Sequence, residues 1–283
     1  MIRHALTAAA TIGMLSACAT REPSPVYAPS EVTVYENGRV WTGEGFEPRR
    51  LAVAGSAFID PALAPENAER VDLEGGWLTP ALANAHQHTP RPTVESSNRF
   101  TDAGVFYVWN PNVLGSLMTE DFKAFFARPG TIDVRASAGG VTRPGSHPEP
   151  LYVQILGPRV YGGAGYEEMY LDAFHYARDA GEIEATLDRL EADGADFVKA
   201  YLLGSEGYLP PGPDGEEQST TGLDPEMVPA LVEAAHARGL PIGFHVETRA
   251  DFRVIAEAGA DFAMHLPAYG LVFGEEGREA RRL

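Results

Sequence analysis

From residue 77 onward, short apolar runs alternate with amphipathic stretches that open on capping residues and close on glycine. A chain patterned this way is committed to a parallel sheet with helices packed against it. The last two repeats are the cleanest. A helical pattern over 225–238 ends at Gly239 and returns through Leu240-Pro241 to a strand at 241–246; a second over 249–258 ends at Gly259 and returns through Ala260-Asp261 to a strand at 262–266. Further strands are predicted at 77–83, 105–109, 132–136 and 197–202, with helices at 119–127 and 181–193. Thr119-Glu120-Asp121 and Asp224-Pro225-Glu226 supply a capping side chain followed by acid or proline, as helix starts require.

The segment before this region reads differently. Four short strands are predicted at 32–35, 39–42, 50–54 and 70–73, with Glu36-Asn37-Gly38 as a hairpin turn, so 31–76 forms a small β-sheet unit ahead of a main domain at 77–283. Residues 19–30, with Pro23, Pro25 and Pro29, read as a flexible tether. Met1-Ile2-Arg3-His4 is basic and is followed by an apolar run from Ala5 to Leu15. That run is shorter than the roughly 20 residues a bilayer span needs. Leu15-Ser16-Ala17-Cys18 resembles the lipobox of bacterial lipoproteins, with an ordinary secretory signal as the alternative. The resemblance implies a signal peptide at 1–18, lipidation of Cys18, and a membrane-anchored protein of the bacterial cell envelope facing the periplasm or exterior.

Composition narrows the partners. The net charge of −18 over 283 residues argues against nucleic acid, whose phosphates such a surface repels. Cys18 is the only cysteine, so no internal disulfide can form and the domain must hold by packing. Self-association into a homo-oligomer is left open.

In a parallel β/α fold functional side chains gather at the C-terminal ends of strands. His86 and His88, two residues apart at the close of the first apolar run, point to one side of an extended chain and could grip one ion. Lys199 lies within Phe197-Val198-Lys199-Ala200-Tyr201, His245 within Gly243-Phe244-His245-Val246, and His265 within Ala263-Met264-His265-Leu266. Any one of these histidines alone is more often a hydrogen-bonded core residue than a ligand. Lys199 must titrate to neutral, pair with an acid, be chemically modified, or carry its amine to the strand end. His147, Tyr201 and Glu247 are candidate substrate contacts; His236 suits the C-terminus of its helix, and His175 falls in a stretch without a clear pattern.

Taken together, Pro80-Ala81-Leu82-Ala83-Asn84-Ala85-His86-Gln87-His88, Lys199, His245 and His265 resemble the amidohydrolase superfamily, in particular its imidazolonepropionase-like and prolidase-like members. The resemblance runs from about Asn37 to Pro267. It implies an α/β fold with a TIM-like (β/α) barrel, of which about six of eight strands can be counted, behind the small N-terminal β-sheet unit. It also implies that His86, His88, Lys199, His245 and His265 hold one or two divalent ions, most naturally zinc, with Lys199 carboxylated between them. The activity implied is hydrolysis of carbon–nitrogen bonds by metal-activated hydroxide, on a dipeptide, an acylated amino acid or a cyclic amide as small-molecule substrate. Ala81 and Asn84 depart from the family's Gly and Asp. The family's strand-8 aspartate, its proton shuttle, has no counterpart before Leu283, so the expectation is a C-terminally truncated member with no assignable catalytic base. The alternative reading is a catalytically deficient lipoprotein on this scaffold that binds metal or ligand without turnover. A third is a structural lipoprotein whose histidines are core residues. The Gly/Pro/acid-rich loop 205–222, following the Lys199 strand, is expected to close over substrate.

Overall fold

A computed structural model describes residues 27–213 and 221–266. Cys18, the signal-like segment and most of the tether lie outside the described residues, as do 214–220 of the expected lid and everything after Leu266. The chain divides into two units at Pro80/Ala81. Among the described residues no helix is long and apolar enough to cross a membrane.

The first unit is a five-stranded sheet built from β1 (Val32–Trp41), β2 (Phe46–Ala54), β3 (Ala57–Ile59), β4 (Glu69–Asp72) and β5 (Trp77–Leu78). The strand order is β3-β2-β1-β4, with β5 also pairing with β1. Val32, Val34 and Ala52 form its small core, one face of an alternating pattern. Two expectations are corrected here. Glu36-Asn37-Gly38 is not a hairpin turn but a bulge inside a continuous β1, where the register jumps from Tyr35↔Leu51 to Gly38↔Arg49. Asn37 takes the left-handed conformation (φ 56°) and its amide donates to Asp72. A Cβ on Gly38 would collide with the Leu73 side chain, so the glycine serves close packing and not chain reversal. The reversal itself comes later, between Trp41 and Phe46, through Gly43 and Gly45. The strand expected at 77–83 is likewise divided: Trp77–Leu78 pairs with β1, and a separate strand begins after Pro80-Ala81.

The second unit is α/β, its strands all parallel. In chain order it runs β6 (Leu82–Asn84), α1 (Val94–Thr101), β7 (Val105–Val113), α2 (Glu120–Phe126), β8 (Asp133–Ala138) and β9 (Gly140–Thr142). Short helical segments follow: α3 (Glu149–Leu151), a π-helical turn at Tyr152–Leu156, α4 (Gly157–Val160) and α5 (Tyr166–Met169). The unit then continues β10 (Phe174–Tyr176), α6 (Ala180–Ala192), β11 (Val198–Tyr201), α7 (Val228–Ala237), β12 (Ile242–His245), α8 (Arg249–Glu257) and β13 (Phe262–Ala263). The four helices expected from sequence lie within three residues of their predicted ends; α1, the segments α3 to α5 and β10 have no forerunner in the pattern.

The strands form two hydrogen-bonded sheets, β6-β7-β8 and β10-β9-β11-β12-β13. Gly139 (φ 83°) links β8 to β9 and passes the chain from one sheet to the other. Where β8 meets β11, a side chain stands in for ladder bonds: Ala136 N–H donates to the Asp196 carboxylate at 2.9 Å, and Asp196 N–H donates back to Ala136 O at 2.8 Å. The Lys199 N–H donates to Ser137 Oγ beside it. Pro111, which has no N–H to give, sits where the β7–β8 register breaks. Packed against the strands are Ile183, Leu187 and Leu190 of α6 and Val228, Leu231, Val232 and Ala235 of α7. Each fully buried aliphatic side chain of valine size or larger contributes roughly 1.5–3 kcal/mol.

His175, which lies in a stretch without a clear sequence pattern, is fully buried on β10. Its Nε2 meets Ala138 O at 3.1 Å and its Nδ1 has no hydrogen-bond partner among the described residues. Burial lowers its pKa to about 4, outweighing the bond to Ala138 O and the pull of Asp193 and Asp172. The unfolded imidazole therefore takes a proton that the folded one refuses, and the stability present above pH 6.5 is lost as pH falls toward 4. Urea denaturation should show this group removing about 2 kcal/mol between pH 7 and pH 5. His175→Gln, which keeps a donor toward Ala138 O, should flatten the profile by that amount; an unchanged pH dependence would contradict the assignment.

Candidate active site

Strands of the second unit deliver polar side chains at or beyond their C-terminal ends. β6 ends on Asn84, whose Oδ1 accepts the His86 N–H at 3.1 Å and turns the chain. His86 Nδ1 meets Met264 O at 3.2 Å, so the ring is braced by the backbone just beyond β13 and its Nε2 is the nitrogen left facing inward. That Nε2 lies 3.0 Å from His88 Nε2. The rings then run on: His86 to His265 at 4.6 Å between centroids, His265 to His245 at 4.4 Å, and His245 to His147 at 5.3 Å. Lys199, 1% exposed, lies beside them in β11; its Nζ has no hydrogen-bond partner among the described residues and stands 4.9 Å from the centre of the Tyr201 ring. His86, His88, Lys199, His245, His265, His147 and Tyr201 all line one cavity of about 600 Å³.

Of the eight residues singled out from sequence, seven meet in this cavity. Glu247 stands outside its lining but faces His245 Nε2 at 3.3 Å. Tyr201 forms wall: its hydroxyl accepts from Asn112 Nδ2 at 3.2 Å. Outside the cavity, His236 pairs with Asp261 at 2.9 Å, a specific partner in addition to the helix end.

The electrostatics are of one kind. Burial lowers the pKa of Lys199 to about 7. Burial, and then the Lys199 charge or a neighbouring imidazole, lowers His88 and His265 to about 4 and His245 to about 2, and moves His86 and His147 downward. Near neutral pH the imidazoles are therefore uncharged, each with one lone-pair nitrogen, and among the described residues no carboxylate lines the cavity beside them. His245 being neutral, its contact with Glu247 is a hydrogen bond and not an ion pair.

These groups are donors suited to a cation. Two nitrogens each about 2.0–2.1 Å from one zinc ion lie roughly 3 Å apart, the spacing of the His86–His88 pair. Among the described residues no three His, Cys, Asp or Glu side chains converge tightly enough to hold an ion unaided. The unpartnered Lys199 amine, a residue type outside that set, is the group whose chemistry could complete one.

The rim is held by a residue the sequence did not single out. Asp251, fully buried at the start of α8, accepts four backbone N–H groups, from Gly204, Ser205, Glu247 and Thr248. It thus ties the segment after β11 to the segment after β12. Thr248 Oγ1 adds a bond to Glu206, and the Arg143 guanidinium packs over Tyr208. The described part of the expected lid is therefore anchored to the body of the unit. Asn110 and Asn112, also missed, could have been noticed as two polar residues at i, i+2 in an apolar strand; both are buried, and the Oδ1 of each has no partner among the described residues.

Comparison with known proteins agrees with this architecture. No model of a known protein family matches the chain. A 55-residue stretch, 19% of this chain and 12% of the relative, is 40% identical to an imidazolonepropionase of Mesorhizobium japonicum. Among solved structures, an amidohydrolase superposes with TM-score 0.58 at 15% identity over 82% of this chain and 60% of its own. A Xaa-Pro dipeptidase with methionine bound in its active site gives 0.57 at 16%, over 82% and 61%. A prolidase complexed with N-methylphosphonate-L-proline gives 0.59 at 15%, over 84% and 62%. The chain spans about 60% of the length of these structures.

Asp251→Ala should leave four part-buried N–H groups without their acceptor and destabilise the unit by about 3 kcal/mol, with Asp251→Asn, which keeps one carbonyl oxygen, costing less. Urea titration of both variants checks the order; equal stability to the parent would remove Asp251 from this role. The described residues of this chain share the fold of those amidohydrolase and prolidase structures.

Proposed function

We propose that the chain carries the site of a metal-dependent hydrolase of carbon–nitrogen bonds, acting on small amides such as dipeptides, acylated amino acids or cyclic amides. The single observation that carries this reading is the Lys199 amine, buried without a partner beside four neutral imidazoles that belong to three other strand ends. Burying such an amine without a partner is costly, and groups perturbed in this way cluster at functional sites. The relatives named amidohydrolase, Xaa-Pro dipeptidase and prolidase support the substrate class through the shared fold. The staples joining β8 to β11 support closure of the two sheets into one (β/α) barrel.

His86, His88, His245 and His265 would hold one or two divalent ions, zinc suiting imidazole and oxygen donors. Such ions supply Lewis acidity, polarising an amide carbonyl and making water acidic enough to attack near neutral pH. Lys199 would join them after its unprotonated amine attacks carbon dioxide: an N–C bond forms, one C=O π bond becomes a carboxylate oxygen, and one proton leaves. This converts an unpaired buried cation into a two-oxygen anion. His86 contributes by presenting Nε2, its other nitrogen being occupied at Met264 O. Tyr201, its hydroxyl fixed by Asn112, closes the floor beside Lys199, and His147 faces the substrate from beyond β9. The lipobox-like segment ending at Cys18 supports an envelope location with a lipid anchor.

Elemental analysis of the purified full chain should find between one and two equivalents of a divalent metal. Exposure to ¹³C-labelled bicarbonate should give a carbamate resonance that Lys199→Met lacks. Turnover across a panel of dipeptides, acylated amino acids and cyclic amides should be lost in His245→Ala. A metal-free protein with no carbamate would defeat the proposal, whereas metal and carbamate without turnover would leave a binding protein.

A further inference from the structure

A second cavity of about 480 Å³ adjoins the histidine cavity and shares His88, Arg91, Asn112 and Tyr161 with it. Its wall is apolar on one side, built by Val113, Leu114, Phe122 and Phe125, with Leu117 at 49% exposure. Among the described residues Arg91 is the only arginine lining either cavity, and together with Lys199 it makes up the lysine and arginine there. It is exposed, and its guanidinium makes one long contact, 3.4 Å to Pro90 O, and no ion pair among the described residues. Among the described residues the histidine cavity has no Asp or Glu in its lining and the adjoining one has Asp121 alone, although the chain carries 40 acidic residues and 22 Lys and Arg. A histidine cavity with no acid among its described lining, and at its edge a guanidinium unpaired among the described residues, leaves a local positive charge in a strongly acidic chain.

From this we infer that Arg91 determines specificity by binding a carboxylate of the substrate, and that the adjoining cavity takes an apolar, aromatic-sized group of the same molecule. A planar guanidinium matches a carboxylate with two parallel N–H donors, and it does so best where no protein acid is paired with it. Arg91 belongs to the shared wall, so one molecule can meet it while reaching toward the imidazoles on one side and the apolar wall on the other. The substrate class is thereby an amide bearing a free carboxylate near a hydrophobic side chain; neutral and cationic amides are selected against. The inference rests on the hydrolase reading for the presence of a scissile bond and on the two cavities for everything else.

The test separates these parts by using ligands that cannot be hydrolysed. Calorimetric affinities of 3-phenylpropanoate and its neutral isostere 4-phenylbutan-2-one are measured on the full chain as purified. The carboxylate should bind at least about tenfold more tightly, a preference that Arg91→Gln erases while leaving thermal unfolding unchanged. Leu117→Trp, at a half-exposed position, should fill the apolar cavity and weaken both ligands. Equal affinities in the parent, no binding of either ligand, or a preference that survives in Arg91→Gln would overturn the inference. Failure of the hydrolase reading shows separately, as absence of metal and turnover with the carboxylate preference intact. Turnover of neutral amides as fast as acidic ones would sink the inference and leave that reading standing.

Discussion

The site depends on a primary amine kept out of water. Lys199 sits in the middle strand of a parallel sheet, with β9 and β12 paired on either side, and no described polar group solvates its nitrogen. Such a group costs several kcal/mol if it stays charged and unpartnered. The surroundings respond accordingly. The imidazoles nearest to it stay neutral because burial and its own charge oppose their protonation, and the cavity lining contains no acid to neutralise it. An arrangement this unfavourable for stability persists where its chemistry is used.

Much of the second unit was legible because its signals are local. The capping residue Thr119 and the terminal glycines Gly239 and Gly259 fix helix ends by hydrogen bonds spanning three or four residues. The strand-end histidines were readable for a related reason, since apolar runs mark where buried strands stop. What escaped was decided by partners far away in the chain. Asn37-Gly38 has the composition of a turn, yet pairing with Asp72 and packing against Leu73 hold it as a bulge within a long strand. Phe174–Tyr176 is too short to carry a period, and it is a strand because β9 offers it an edge. Asp251 looks like an ordinary acid in the first turn of a helix; its four donors come from two loops that only the fold brings together.

The charge of the chain also has a spatial meaning that its total conceals. The net value of −18 is a sum over the whole chain, while the described residues that line the histidine cavity are basic or uncharged. Ion pairs such as Arg238 with Glu184 and Asp188 occupy other arginines elsewhere. A small anion approaching this protein meets a repelling exterior and an accepting interior, which favours ligands that can offer apolar surface as well as charge.

The four-donor grip of Asp251 has a mechanical consequence. Two stretches of rim that could otherwise respond separately to a ligand are fastened to a single carboxylate on one helix, and so must shift as one piece or not at all. Any breathing of the mouth on that side becomes a rocking of α8 itself. The freedom to adapt to differently shaped guests falls to the lining outside that grip, Arg91 and the short helical segments after β9 among it.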